Sequence, residues 1–360
     1  MHKAYIFAAI ATCLALAFAA PNAIAAPVPC TSATAACMEW ITLGNTRAMV
    51  YRTYPLDVPN SGVRRALIMV HGALRNADHY FRTATGAAFL ADALGDTLVI
   101  APAFHSADGD CKDKLEAGEA NWPCDGNSWR SGGDAIGSPD VSSFDFVDAI
   151  LKKLADKRVF PDLAAIVVAG HSAGGQFVAR YQMANRVHET LGVPVTYAIA
   201  NPSSYAWPDA SRDLPVDDGA PQNAVLGWKE EAPHTHFSFG ALDAAKAPNF
   251  DRWPYGLEGR SGHYFVGIAD DQLKKQLVSR PATYLLSQVD TLPLGGFDGS
   301  PNAMAQGATR RARGEAFVTY VNEKLGGHAQ IQIVSECGHN DRCVFTTDTV
   351  LPVIFPAVSR

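Results

Sequence analysis

The sequence predicts an α/β protein built on a mostly parallel central sheet with helices on both faces. Short runs of β-branched and other apolar residues alternate along the chain with stretches of helical periodicity. These runs are apolar along their whole length, which is typical of parallel strands covered on both faces. The predicted strands cover residues 66–70, 97–101, 164–169, 195–200, 283–289 and 330–334.

Four stretches between these strands are predicted to be helices. In Val141 to Leu154, large apolar side chains recur near helical spacing, as in a helix with one buried face. The other predicted helices cover residues 86–94, 174–185 and 308–325. The alternation of strands and helices supports one large α/β domain, for which 360 residues are ample.

The N-terminus has the pattern of a signal peptide. A positive start is followed by an almost wholly apolar run from Ala4 to Ala20 and then by small residues, which predicts cleavage after Ala25 or Ala26. A membrane anchor is the competing interpretation, but the run is slightly short for a span and Pro21 follows it at once. We therefore expect a signal peptide at residues 1–25, a domain at residues 26–360, no stable membrane anchor after cleavage, and a secreted or periplasmic protein.

The cysteine count agrees with export. There are seven cysteines, and one of them, Cys13, would leave with the signal peptide. The remaining six form three local pairs, which in an oxidising compartment predict three disulfides. Six cysteines allow fifteen connectivities, so nearest-neighbour pairing is one of several. The local pairs are Cys30 with Cys37, Cys111 with Cys124, and Cys337 with Cys343.

Charge and composition exclude several classes of function. The formal net charge is -6 and no Lys/Arg run or basic stripe is present, so a nucleic-acid partner is not expected. No Cys or His cluster has zinc spacing. Asp108, Asp110 and Asp113 lie close together but lack the full ligand pattern of a calcium loop. We predict neither a metal nor a cofactor.

One motif indicates nucleophilic chemistry. Residues 170–174 read Gly-His-Ser-Ala-Gly, after a predicted buried strand and at the start of a predicted helix. A strand-to-helix turn this tight leaves no room for a side chain at the positions two residues before and two residues after its centre. Glycines therefore occupy both positions, at Gly170 and Gly174. The turn would hold the Ser172 hydroxyl out at the sheet edge, at a helix N-terminus that favours developing negative charge. Ser172 is the predicted nucleophile.

With this motif, the chain from about Ala66 onward resembles the α/β-hydrolase superfamily, and in particular its secreted esterase- and lipase-like branch. The resemblance implies an α/β-hydrolase fold in which the nucleophile, an acid and a histidine follow one another along the chain, each after a particular strand. It also implies acyl-enzyme chemistry on a serine, with no cofactor.

The resemblance then selects the other two members of a catalytic triad. His339 follows the last predicted strand, where this fold places its histidine, and Cys337 and Cys343 flank it. Asp290 ends the penultimate strand, which is the position of the acid. Asp298 is the rival, although its loop of glycines is more typical of a turn.

An oxyanion hole needs two backbone N–H groups aimed at the developing charge. One is expected from Ala173, the residue after the nucleophile. The other is expected from the loop after His71-Gly72, at Ala73 or alternatively at Leu74. This loop has one glycine rather than the three of some lipases, which leaves the second donor open.

Two long segments interrupt the alternation, at His105 to Pro139 and Trp207 to Arg280. Because α/β sheets bind ligands at the carboxyl ends of their strands, we expect both segments to wall the site, with residues 208–280 as a lid or cap-like insertion. Aromatic residues in and around them would suit an apolar acyl group, or alternatively cover the core. They are Tyr80, Phe81, Trp122, Trp129, Tyr205, Trp207, Trp253, Tyr255 and Tyr264.

The leading hypothesis is hydrolysis of carboxylic esters, with a small-molecule or polymeric ester as the substrate. A secreted serine peptidase or amidase would use the same triad, and the sequence barely separates the two. Transacylation would need a site that excludes water from the acyl-enzyme. A non-catalytic binding module is disfavoured because such proteins usually lose a member of the triad, and all three are present here.

Overall fold

The computed structural model of the chain describes Met1 and residues 27–124, 129–214 and 237–358. Apart from Met1, the predicted signal peptide lies outside these residues, and so does part of the predicted lid, residues 215–236. Within the described residues, no helix is both long enough and apolar enough to cross a membrane.

A central sheet of eight strands organises the described residues, and its strands are numbered here in chain order. The order across the sheet is β1-β2-β4-β3-β5-β6-β7-β8. Strand β2 runs antiparallel to both of its neighbours, and every other adjacent pair is parallel. The strands are β1 (Met38–Leu43), β2 (Thr46–Arg52), β3 (Arg65–Val70), β4 (Thr97–Pro102), β5 (Ala165–His171), β6 (Val195–Ala200), β7 (Ala282–Ser287) and β8 (Gln330–Val334).

The six parallel strands β3 to β8 are the six that the sequence predicts, with ends shifted by at most two residues. Strands β1 and β2 were not predicted. Strand β1 reads Met-Glu-Trp-Ile-Thr-Leu and lies at the edge of the sheet, where part of each strand face meets water. An edge strand therefore mixes polar and apolar residues and lacks the continuous apolar run that marks a central parallel strand.

The helices cover both faces of the sheet. Two small hairpins lie outside the sheet, one pairing Asp134–Ala135 with Ser138–Ser142 and the other pairing Ser211–Asp213 with Phe239–Ala241. The α-helices are α1 (Ala77–Leu90), α2 (Ser143–Leu154), α3 (Ala173–Ala184), α4 (Asp270–Ser279), α5 (Pro301–Met304), α6 (Arg310–Leu325), α7 (Asp341–Phe345) and α8 (Leu351–Ile354). Short 3₁₀ turns occupy Ala35–Cys37, Trp129–Ser131, His188–Thr190 and His263–Phe265.

For two of the helices, the difference between the predicted and the observed start has an identifiable reason. Helix α1 begins nine residues before the predicted start at residue 86, because its first turns carry exposed polar residues such as Arg82 among the buried ones. Helix α2 begins at Ser143 rather than Val141 because Ser142 caps it: its hydroxyl accepts from the Asp145 N–H at 3.1 Å, and the Asp145 carboxylate accepts from the Ser142 N–H at 2.9 Å.

Alternate residues of one strand enter two separate cores, which confirms the prediction of a sheet covered on both faces. In β3, Ile68 and Val70 join the larger cluster, together with side chains of α2, α3 and α6. Leu67 and Met69 join the cluster on the other face, with side chains of α1, α7 and α8. Because side chains alternate across a strand, such a strand must be apolar throughout.

The larger core contains a buried carboxyl group, Asp148 on α2, which is 4% exposed. The hydroxyls of Tyr181 and Tyr264 donate to its two oxygens. Burial raises the pKa of Asp148 to about 6, and the two hydrogen bonds oppose the rise. A carboxyl group with a raised pKa in the folded state favours folding when protonated. That contribution is complete below the unfolded pKa near 4 and is lost as the pH rises through about 6.

We expect the replacement Asp148→Asn to remove this pH dependence while keeping an oxygen acceptor. The free energy of unfolding of the variant, minus that of wild type, should therefore increase by about 1 kcal/mol from pH 5 to pH 8. Denaturant unfolding of both proteins at several pH values measures the difference. Parallel stability curves would show that Asp148 is already ionised at pH 5.

Candidate active site

The site is built on the sharp turn between β5 and α3. Ser172 is the residue between the two elements and has the backbone angles φ 59° and ψ −118°, a region that L-residues rarely occupy. Its side chain faces the carboxyl edge of the sheet and the residue is 8% exposed. A Cβ atom at Gly170 would overlap the backbone of Gly174, which is the steric requirement that the motif predicts.

The turn also brings α3 against two neighbouring strands. A Cβ at Gly174 would overlap the carbonyl oxygens of Val70 and His71 at the end of β3. A Cβ at Gly175 would overlap the carbonyl of Ala200 at the end of β6. Gly175 lies outside the five-residue motif, and its only signal in the sequence is the second of two consecutive glycines. The first turn of α3 is therefore in backbone-to-backbone contact with the sheet on both sides.

The structure brings Ser172, His339 and Asp290 into one hydrogen-bonded chain. The Nε2 atom of His339 lies 2.9 Å from the Ser172 hydroxyl oxygen. The Nδ1 atom of His339 lies 2.7 Å from Oδ2 of Asp290. Because an ionised carboxylate only accepts, Nδ1–H is the donor to Asp290 and Nε2 accepts from the serine. The imidazole side chain is 10% exposed and the carboxylate is 2% exposed.

The rival acid, Asp298, has other partners. Its Oδ2 accepts from the Tyr255 hydroxyl at 2.8 Å, and its Oδ1 accepts from the Ser300 N–H at 3.0 Å. Ser300 in turn caps the short helix α5. Asp298 thus orders a turn, and Asp290 is the carboxylate beside the imidazole.

Several contacts fix the loop that carries His339. A disulfide joins Cys337 to Cys343 across the loop, and the Asn340 side chain accepts from the Cys343 N–H at 2.9 Å to begin α7. Asp341 accepts from Thr83 at 2.9 Å and lies 2.9 Å from His79, both on α1. The other disulfides join Cys30 to Cys37 and Cys111 to Cys124, so all three pairs are nearest neighbours in the chain.

The predicted oxyanion donors lie at the start of α3 and in the turn after β3. Ala173 is the first residue of α3, so its N–H has no carbonyl one turn earlier in the helix to bond. Ala73 and Leu74 are both exposed, in the turn after β3. His71 holds the start of this turn, because its Nδ1 lies 2.9 Å from the Gly72 carbonyl and its Nε2 accepts from the Phe104 N–H at 3.1 Å.

Two buried features of this turn were not predicted. Burial lowers the pKa of His71 to about 3, so the ring is neutral, as the hydrogen bond that Nε2 accepts requires. Arg75, which has a positive φ of 56°, donates to the carbonyls of Phe104 and Pro123 at 2.7 Å each. These contacts tie the turn to the segment after β4. In the sequence, Arg75 is only one arginine in a predicted turn, and no pattern around it indicates these contacts.

His171 lies beside the site without joining the hydrogen-bonded chain. Its ring centroid is 4.5 Å from that of His339, and the Tyr80 hydroxyl lies 3.2 Å from its Nδ1. Burial holds the pKa of His171 well below its ordinary value, with a further lowering from His339 and Arg310. His171 is therefore a neutral packing residue, as its position within the motif suggests.

Most of the aromatic residues for which the sequence left a wall role and a core role open belong to the core, which supports the interpretation that they cover the sheet. Only Trp253 and Tyr255 are partly exposed. The aromatic residues that are less than 5% exposed are Tyr80, Phe81, Trp122, Trp129, Tyr205, Trp207 and Tyr264.

The residue one turn along α3 from Ser172 is polar. The Gln176 side chain donates to the Ser204 hydroxyl at 2.7 Å and accepts from Arg130 at 3.2 Å.

The predicted insertion at residues 208–280 does not form a single unit in its described part. Residues 211–213 and 239–241 form a small hairpin, whereas residues 270–279 form α4, which buries Leu273 and Leu277 and packs with α3. A lid role stays a prediction.

In the ranges that the structure describes, no three His, Cys, Asp or Glu side chains are grouped as metal ligands.

A family model described as the alpha/beta hydrolase family matches residues 67–349. A structure of poly(aspartic acid) hydrolase-1 from Sphingomonas sp. KT-1 is similar, with a TM-score of 0.58, 20% identity, and coverage of 88% of this chain and 97% of that one. LpqC, a poly(3-hydroxybutyrate) depolymerase from Bordetella parapertussis, is similar with a TM-score of 0.55, 21% identity, and coverage of 86% and 89%. Among curated proteins, no sequence matches this chain.

The close contact between α3 and β3 predicts the cost of a methyl group at the turn. We expect Gly174→Ala to destabilise the fold by about 3 kcal/mol or more, because its Cβ would meet backbone carbonyls that cannot move independently. The matched control is Gly86→Ala on α1, where a Cβ meets nothing within 4 Å, and it should stabilise the fold by about 0.5–1 kcal/mol. Thermal and denaturant unfolding measure both; a Gly174→Ala protein as stable as wild type would contradict the packing described.

Proposed function

The chain belongs to the alpha/beta hydrolase family, and on that premise we propose that it is a secreted serine hydrolase that cleaves carboxylic esters through an acyl-enzyme. The observation that carries the proposal is the hydrogen-bonded chain from Ser172 through His339 to Asp290, with both distances under 3 Å. A serine hydroxyl is a weak nucleophile on its own, and an adjacent oriented base is what activates it.

In the proposed first step, the Ser172 oxygen attacks the ester carbonyl carbon while Nε2 of His339 takes the hydroxyl proton. Asp290 holds the imidazole in the tautomer with hydrogen on Nδ1 and stabilises the cation that forms. The carbonyl oxygen becomes an oxyanion, to which the N–H groups of Ala173 and Ala73 would donate. The position of Ser172 at the start of α3 adds the favourable end of the helix dipole.

Collapse of this intermediate breaks the bond to the alcohol, which leaves with the proton that His339 carried. A water molecule then attacks the acyl-enzyme, and His339 takes its proton and returns it to the Ser172 oxygen. The acid is released and the enzyme is regenerated. Every proton passes through Nε2 of His339, so its distance of 2.9 Å to Ser172 Oγ is the geometry that both halves require.

The proposed substrate class is a small-molecule or polymeric ester. The two similar structures are described as hydrolases of polymers, and at about one-fifth identity they inform the fold of this chain rather than its substrate. Export is proposed from the N-terminal pattern, and three disulfide pairs support it.

Labelling with a fluorophosphonate probe tests the proposal directly. We expect the mature wild-type protein to be labelled at Ser172 and to hydrolyse p-nitrophenyl esters, and we expect Ser172→Ala to lose labelling and about 10⁴-fold or more in kcat/KM. The control is Ser143→Ala, which removes a fully buried serine hydroxyl at the start of α2 and should retain both properties.

A panel of ester and amide substrates separates the candidate reactions. Labelling with turnover of peptide amides but not esters would move the protein to the peptidase or amidase class. A folded, oxidised wild-type protein that is not labelled would contradict the proposal and favour a binding module. Peptide mapping of the adduct identifies the labelled residue in each case.

A further inference from the structure

We propose that Arg310 is a positioning residue that holds Asp290 and the adjoining loop in place against His339. The inference rests on the proposed function, because it assigns a role within the same site. Arg310 is the first residue of α6, and nothing in the sequence singles it out except that it is one of three arginines at residues 310–313.

The first contact is a buried ion pair. Asp290 uses its two oxygens for different partners: Oδ2 faces His339 at 2.7 Å, and Oδ1 lies 3.2 Å from Nη1 of Arg310. The guanidinium side chain is 0% exposed and the carboxylate side chain is 2% exposed. An ionised carboxylate in such a place needs a compensating charge, because isolated buried charges are strongly disfavoured. Arg310 provides that charge, at the carboxylate oxygen that does not contact the imidazole.

The other contacts of Arg310 reach the loops around the site. Its Nε donates to the Ser203 hydroxyl, just after β6, at 2.7 Å. Its Nη2 donates to the carbonyls of Leu294 and Gly295 at 2.7 and 3.0 Å. A Cβ at Gly295 would lie 2.8 Å from Cδ2 of His339, so this loop rests against the imidazole ring. One side chain therefore links the carboxylate, the loop that contacts the ring, and the end of a neighbouring strand.

These contacts predict two separable effects of losing the guanidinium. Without the hydrogen bonds, Asp290 and residues 294–295 would be free to shift, and the imidazole would lose its alignment with Ser172. Without the positive charge, the protonated imidazole would form more readily, because Arg310 opposes a second cation nearby. The first effect lowers kcat, and the second moves the acid limb of the pH profile to higher pH.

The other charged groups near His339 would not produce the expected change in the acid limb of the pH profile. His171 packs on the ring but is buried and neutral, as its depressed pKa requires. Asp341, two residues further along the same loop, is engaged with His79 and Thr83 on α1. Among the described residues, the carboxylate that contacts the ring is Asp290, and the cation that contacts this carboxylate is Arg310.

Arg313 provides a matched control on the same helix. It is also 0% exposed, and its Nη1 and Nε donate to the carbonyls of Ser203 and Gly307. Both arginines lie over the ring of Phe297, at 5.2 Å for Arg310 and 4.4 Å for Arg313. The two residues thus share burial, chemistry and the neighbours Ser203 and Phe297, whereas the contacts with Asp290 and with the loop at residues 294–295 belong to Arg310.

The test compares Arg310→Met, Arg310→Lys and Arg313→Met with wild type, using full pH profiles of kcat and kcat/KM on a p-nitrophenyl ester. For Arg310→Met we expect kcat to fall about 10- to 100-fold with KM changed less than about threefold. We also expect its acid limb to rise by roughly one pH unit. Arg310→Lys should keep the wild-type limb and recover part of kcat. Arg313→Met should be less stable than wild type, but its kcat should stay within about threefold of the wild-type value and the acid limb of its pH profile should not move.

Circular dichroism and thermal melts establish that each variant is folded at the assay temperature. A folded Arg310→Met with wild-type kcat and an unmoved acid limb would overturn the inference. Equal losses in the two methionine variants, without a limb shift in either, would also overturn it and make Arg310 a packing residue only. If Arg310→Met does not fold, Arg310→Lys decides: a kcat equal to wild type would show that the fork of hydrogen bonds has no positioning role.

Failure of the proposed function gives a different pattern. In that case the wild-type protein itself would show neither fluorophosphonate labelling at Ser172 nor ester turnover. If wild type cleaves amides instead, the same variants and profiles apply with an amide substrate. The inference about Arg310 is thus tested against wild-type activity of either kind.

Discussion

The structure depends on one steric constraint, the contact between the first turn of α3 and the backbones of β3 and β6. Because Gly174 and Gly175 have no side chain, the backbone of α3 approaches the carbonyl groups at the ends of β3 and β6 more closely than any side chain would permit. That approach forces Ser172 into a strained conformation with positive φ and directs its hydroxyl over the carboxyl edge of the sheet. The loops that follow β7 and β8 begin at the same edge, so the parallel arrangement of the strands brings Asp290 and His339 to Ser172.

A second feature is the use of buried arginines to order the loops above that edge. Arg180, Arg310 and Arg313 are fully buried, and most of their hydrogen bonds go to carbonyl or hydroxyl oxygens of loops rather than to carboxylates. A guanidinium has five donors in a fixed plane, so a single side chain can join segments that are far apart in sequence. Burial of these charges is costly, and the cost is offset only while all the contacts are made. The loops around the site are thereby coupled to one another.

The fold and the central residues of the site could be predicted because each has a local signal. Continuous apolar runs mark β3 to β8, the glycines around Ser172 mark the turn, and the order of strands places Asp290 and His339. Strand β1 has no such signal, because an edge strand is only half buried. Arg310 could not be predicted because its importance comes from partners that are 15 to 107 residues away in the chain. For the aromatic residues the sequence left both a wall role and a core role open, because large side chains near a site and large side chains beneath it have the same composition.

The restraints on His339 suggest how substrate choice and catalysis are divided in this protein. The imidazole is held by Asp290, by the loop at Gly295, and by a segment that is closed by a disulfide and anchored to α1 through Asp341. All of these contacts lie below or beside the ring, within the α/β core and its own loops. None of these restraints involves the described residues of the two long segments at 105–139 and 207–280, in the first of which Arg130 donates to Gln176 on α3. Under the proposed function, changes in those segments would alter the acyl group that is accepted while the alignment of His339 with Ser172 is kept.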